Sequence, residues 1–189
     1  MEFTLFYEGI LKSGNKAGAK DKHQIRQYFH KQLKVLWSEP PLKDLEKFQL
    51  LKTTPPGYEN EFCFESKLGN FQFVPLIREN LDLIAEIDII LLTSEPLGNI
   101  VNNSGDIDNR LKTLFDGLRC PSKPDEIKEI EPEPDEKPFY CLLEDDKLIT
   151  KVSVTTKRLI GSDIEKDKVK LILSILVKTT NDYKIFKHY

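Results

Sequence analysis

The stretch from Leu83 to Thr93 (LIAEIDIILLT) constrains this chain more than any other. It is β-branched and almost continuously apolar. Apolar residues at both parities belong on a strand whose two faces are both covered, so this segment reads as the centre of a sheet. A central strand needs neighbours. Phe3 to Leu11, Phe71 to Ile77, Leu148 to Thr156 and Lys168 to Thr179 supply them by their β-branched and aromatic content. Gly69-Asn70, between Glu61–Leu68 and Phe71–Ile77, predicts a hairpin turn. Helical periodicity is equally plain elsewhere. With Asp21 as the expected N-cap, Lys22 to Trp37 carries Ile25, Tyr28, Phe29, Leu33 and Leu36 on one stripe and stops before Pro40-Pro41. A shorter helix is expected over Leu42 to Leu51. Another, entered near Asp106, places Ile107, Leu111, Leu114, Phe115 and Leu118 on a core-facing side. These elements predict an α+β fold, a small mixed sheet packed with helices, in a single domain over 1–189.

Charge is distributed unevenly. The net charge of −3 over 189 residues conceals a segment, 121–138, with seven acids against three lysines and five of the eleven prolines. That composition predicts a mobile acidic, Pro-rich insertion with no ligand role. By contrast, Lys12 to Lys34 holds seven Lys/Arg against one acid. Within it Lys12, Lys16 and Lys20 lie on a glycine-bearing loop read as flexible, and Arg26, Lys31 and Lys34 flank the helix. These six are the candidate phosphate-contacting cations. Tyr28 and Phe29 are expected in the core, and His23 and His30 at the surface. Three cysteines without CxxC spacing predict free thiols in a reducing compartment, the cytoplasm. No apolar run reaches membrane-spanning length and no secretory signal opens the chain.

The residues that carry chemistry are acids. Asp106 and Asp108 stand two apart at a helix start, and Glu144-Asp145-Asp146 precedes a strand. Clustered carboxylates repel one another, and a hard divalent cation such as Mg²⁺ relieves that repulsion while accepting a phosphodiester oxygen as a further ligand. Lys112 lies one turn beyond Asp108, where it would stabilise transition-state charge or orient water. Each piece alone has an ordinary reading. Asp108 could be a helix cap, Lys112 and Asp116 a solvated i, i+4 pair, and Asp145-Asp146 a turn.

In combination these residues resemble the RusA family of Holliday junction resolvases. Its pattern is a D-L-D-N-x-x-K helix start, an F-D-A-L-like continuation, and L-D-D before a strand. Here the pattern reads Asp106-Ile107-Asp108-Asn109-Arg110-Leu111-Lys112, Phe115-Asp116-Gly117-Leu118 and Glu144-Asp145-Asp146. The resemblance implies a small α+β protein that forms a homodimer and cuts branched DNA with Mg²⁺ (or Mn²⁺) in recombination or repair. It implies that Asp106, Asp108 and Asp146 hold the metal, with Asp145 auxiliary. Lys112 would be the supporting cation, and Asn109 and Asp116 would steady the ligands. The hairpin near Glu61–Ile77, the acidic insertion and the acidic net charge depart from the pattern without removing any of these residues. Two other readings stay open: a DNA-binding module of the same fold without nuclease activity, and a DxD phosphatase of the haloacid-dehalogenase kind. The second would place its nucleophile directly after a buried strand.

Overall fold

The computed structural model describes residues 1–14, 16–43, 66–94, 107–160 and 168–180. Asp106, the loop 95–105 and nearly all of the helix expected over Leu42–Leu51 lie outside them. The elements in chain order are β1 (Glu2–Ile10), α1 (Ala19–Trp37), β2 (Ser66–Leu68), β3 (Phe71–Ile77), β4 (Leu83–Thr93), α2 (Ile107–Leu118), β5 (Phe139–Leu143), β6 (Ile149–Arg158) and β7 (Lys168–Thr179). The α+β class is thus observed, but with two sheets rather than one among the described residues.

The larger sheet runs β1-β7-β4-β6, with β4 interior as its apolar sequence requires. Strand β7 is antiparallel to both β1 and β4, whereas β6 is parallel to β4. Alternation decides the faces. Leu5, Tyr7, Ala85, Ile87, Ile89, Leu91, Val169, Leu171, Leu173 and Ile175 are buried on one side, in one core with Ile25, Phe29 and Leu33 of α1 and Leu114 and Leu118 of α2. Each such aliphatic side chain contributes roughly 1.5–3 kcal/mol on burial.

The smaller sheet runs β2-β3-β5. Its β2–β3 hairpin is the one Gly69-Asn70 predicts, with Leu68 opposite Phe71 and Gly69 at φ 57°. That left-handed value at the first turn position suits glycine. Strands β3 and β5 are parallel, as are β4 and β6. Each pair is joined to the next through a short turn: Glu79–Leu81 leads from β3 to β4, and Asp146–Leu148 from β5 to β6. The two turns sit side by side, tied by Glu144 N–H to the Ile77 carbonyl and Glu79 N–H to the Glu144 carboxylate. The acid pair Asp145-Asp146 therefore lies where the chain changes sheets.

Four local expectations change. Helix α1 starts earlier, at Ala19, so Asp21 is not its N-cap. It acts from the first turn instead, accepting the Gly18 N–H at 2.9 Å. His23 and His30 are buried rather than superficial, because α1 is covered on a second side by the smaller sheet. His23 packs on Phe71 and Phe139, and His30 on Phe139 and Tyr140. The segment 121–138 does not hang free. Its Ile127 is buried, Glu136 accepts from Gln27, Lys34 donates to the Asp135 carbonyl, and Glu126 pairs with Arg119. Its acids thus find partners on α1 and at the end of α2. Finally, the basic loop is folded: the Ser13 carbonyl accepts from both Lys16 and Ala17 N–H.

Candidate functional site

Helix α2 is where the sequence-predicted residues can be placed. Leu114 and Leu118 are buried, with Leu111 and Phe115 packed against the same core, so the predicted apolar face points inward. Asp108 and Lys112 are left exposed. Asp108 sits in the first turn, where the helix dipole favours an anion, and its Oδ1 accepts the Asn109 N–H at 2.8 Å. Among the described residues, no ion pair engages Asp108 or Lys112. The Asn109 carbonyl accepts the Gly14 N–H at 3.0 Å and also the Thr113 hydroxyl, so Asn109 anchors the basic loop to the helix. A side chain at Gly14 would meet Asn109 and the Lys112 stem, which measures how closely the loop lies on the candidate site.

Of the six predicted phosphate-contacting cations, Lys16, Lys20 and Lys31 are exposed. Lys12 pairs with Asp21 at 2.7 Å, and Lys34 is held by the 121–138 segment. Arg26 is a correction: it is 1% exposed and cannot reach a phosphate. Its guanidinium donates to the Asp116 and Arg119 carbonyls at the C-terminal end of α2. It thereby satisfies carbonyls that the helix leaves unpaired, at the end where a cation is favoured. Asp116 is a second correction, because it does not share the exposed face of Asp108 and Lys112. Four-residue steps drift around the helix, and by Asp116 the side chain has turned toward α1. There it pairs with Lys22 at 2.7 Å and Arg119 at 2.9 Å. Burial would raise its pKa, but these two cations outweigh burial and hold it below the ordinary value.

The turn bearing Asp146 packs against α2. Asp146 is exposed, while the Asp145 carboxylate accepts the Lys147 N–H at 2.9 Å. Partial burial, a hydrogen bond from its neighbour Asp145, and the charges of Asp145 and Asp116 raise the Asp146 pKa, against a lowering by Arg119. Burial is the largest of these causes, and the neighbouring carboxylates add to it. Glu144 is committed to the sheet junction through Glu79 N–H and Arg78. Lys22, Arg119 and Glu126 complete the charge network and were not singled out from the sequence. Only the i, i+3 spacing of Asp116 and Arg119 could have signalled part of it.

A Mg²⁺ or Mn²⁺ ion suits the donor chemistry here. Asp108, Asp145 and Asp146 carry carboxylate oxygens, the donor type Mg²⁺ takes, and Mg²⁺ is satisfied by one or two carboxylates plus water and phosphate. The described residues gather no group of three or more metal-ligating side chains. Asp106, the fourth acid, lies outside them. The chain matches no protein-family model, no curated protein and no solved structure.

Proposed function

We propose that the chain is a Mg²⁺-dependent, structure-selective endodeoxyribonuclease of RusA-like type, acting on Holliday junctions or related branched DNA. The observation that carries this reading is the packing of the Asp145-Asp146 turn on α2, the helix whose exposed first turns bear Asp108 and Lys112. Asp146 is thereby set against the helix that carries Asp108, near Asp116 and Arg119 at its C-terminal end, while the anchored loop presents Lys16. Asp108 and Asp146, with Asp106 and auxiliary Asp145, would hold the cation, which supplies charge to the scissile phosphate and a more acidic bound water. Lys112 offsets charge that develops on the phosphate oxygens. Lys16, Lys20 and Lys31 neutralise neighbouring phosphates and orient the strand. Asp116 steadies Lys22 and Arg119 rather than the metal. Cutting two opposed strands calls for two such sites, hence a two-fold homodimer. The work belongs to recombination or repair in the cytoplasm. The DxD phosphatase reading would make Asp106 the nucleophile directly after a buried strand, and in the sequence Asp106 follows Asn102-Asn103-Ser104-Gly105 instead.

The direct test is cleavage of four-way junction, flap, fork and linear duplex DNA, side by side, with Mg²⁺ and with chelator. Metal-dependent cutting of branched forms over duplex is the expected outcome. Tight junction binding without any cutting, in Mg²⁺ and in Mn²⁺, would instead establish the non-catalytic module.

A further inference from the structure

Residues 121–138 leave α2 at Arg119 and return to the sheet at β5, and their two ends are held together. Arg119 pairs with Leu143 as a parallel bridge, and Cys120 N–H donates to the Leu143 carbonyl at 2.8 Å. Cys120 stands at one end and Cys141 on β5 at the other. Both thiols are buried, 5% and 1% exposed, in a cluster with Phe71, Phe73, Phe139 and Ile127. Buried cysteines ordinarily serve as small apolar groups. Two features set these apart. They share one buried aromatic cluster with the Cys120 backbone tied to Leu143, two residues past Cys141 on the same strand, and the buried Arg26 guanidinium donates to the Arg119 carbonyl, immediately before Cys120. Arg26 bonds to two carbonyls and lies 3.5 Å from His23 Nδ1, with no carboxylate contact among the described residues.

We propose that Cys120 and Cys141 are an oxidisable dithiol, a modification site at which a peroxide converts the 121–138 segment into a covalently closed loop. The chemistry balances with hydrogen peroxide as the oxidant. One cysteine sulfur, as thiolate, attacks a peroxide oxygen. The O–O bond breaks, and the departing hydroxide takes a proton to become water, leaving a sulfenic acid. The second sulfur then attacks that sulfur. The S–O bond breaks, hydroxide leaves with the second thiol proton as water, and the S–S bond forms. Two thiols lose two electrons, and one peroxide becomes two waters.

Arg26 gives this step its local logic. Its buried positive charge, beside the Arg119–Cys120 peptide, favours the thiolate form of Cys120. Burial raises the Cys120 pKa well above its ordinary value, so this thiol is protonated at rest and its oxidation waits on local opening. Ile127, carried by the 121–138 segment itself, is part of the cover. Oxidation would fix the exit of α2 to β5, the strand that delivers Asp145-Asp146, whether or not that acid pair serves a nuclease.

The test is to treat the folded full-length protein with excess hydrogen peroxide, quench it, and map disulfides by mass spectrometry of a non-reducing digest. The expected product is a peptide pair linking Cys120 to Cys141, two hydrogens lighter and restored by dithiothreitol. Closing this loop constrains the unfolded chain and should raise Tm by on the order of 5–10 °C. Ile127→Ala should speed linkage several-fold, and Cys120→Ala should abolish both the link and the Tm gain. A link from either cysteine to Cys63, oxidation stopping at a single sulfenic or sulfinic acid, or linkage only in denaturant would overturn the proposal.

Discussion

The two ends of α2 hold similar side chains in opposite conditions. At its N-terminal end Asp108 and Lys112 are exposed, and among the described residues neither has an ion-pair partner. At its C-terminal end Asp116, Arg119, Lys22 and Glu126 form a closed set of ion pairs, over carbonyls satisfied by the buried Arg26. The same helix thus leaves one charged turn without an ion pair among the described residues and uses the other to fix its own position. An i, i+4 series of acid, lysine and acid does not share a function merely because it shares a spacing.

This contrast can be broken by substitution. Asp108→Asn should reduce cleavage by on the order of 10²–10³, as should Asp146→Asn, while junction affinity persists. Thermal unfolding of Asp108→Asn should match the parent to within about 0.5 kcal/mol, because the asparagine Oδ1 can still accept the Asn109 N–H and no ion pair among the described residues is lost. Undiminished cleavage would remove Asp108 from the site. Arg26→Met should do the reverse. It strips a buried cation from two carbonyls and should cost about 3–5 kcal/mol in a urea titration. A stable Arg26→Met protein with weakened DNA binding would restore Arg26 to the DNA surface.

Acid should weaken the covered side of α1. Burial first, then the nearby Arg26 charge, lowers the His23 pKa from 6.5 to about 4, against an opposing pull from Glu136. The unfolded chain therefore binds a proton that the folded chain refuses between those values. Stability is full above about 6.5, falls as pH drops toward 4, and levels off below, a loss of roughly 3 kcal/mol. His30, lowered by its own burial, adds to the slope. In denaturant melts across this window His23→Leu should remove about one proton's share of the dependence. The smallest effect concerns Gly117. A Cβ there would lie 2.4 Å from Ile25 Cγ2, so glycine sets how closely α1 and α2 approach. Gly117→Ala gains helix propensity but overpacks this contact, for a net loss of about 1 kcal/mol in the same melts. A stabilised variant would show that Ile25 moves aside freely.

Much of the scaffold was legible in residue order. The interior placement of β4, the apolar stripes of both helices and the Gly69-Asn70 turn follow from local periodicity and turn stereochemistry, which act over a few residues. The candidate site was legible as a pattern of acids. Its division was not, because the direction in which Asp116 points depends on Lys22, a residue remote along the chain. The same limit explains the histidines, Arg26 and the acidic segment. Each looked polar and superficial by composition, yet each is covered or committed by an element that sequence spacing cannot bring beside it.

By itself the sequence determined which residues could bear metal chemistry, Asp106, Asp108, Lys112, Asp145 and Asp146, and which faces of α1 and α2 had to be apolar. Only the tertiary structure decided which charges are spent inside the chain. Periodicity is a property of neighbours along the backbone, whereas burial and ion pairing depend on contacts between α1, α2, β5 and residues 121–138, made only when the chain closes on itself.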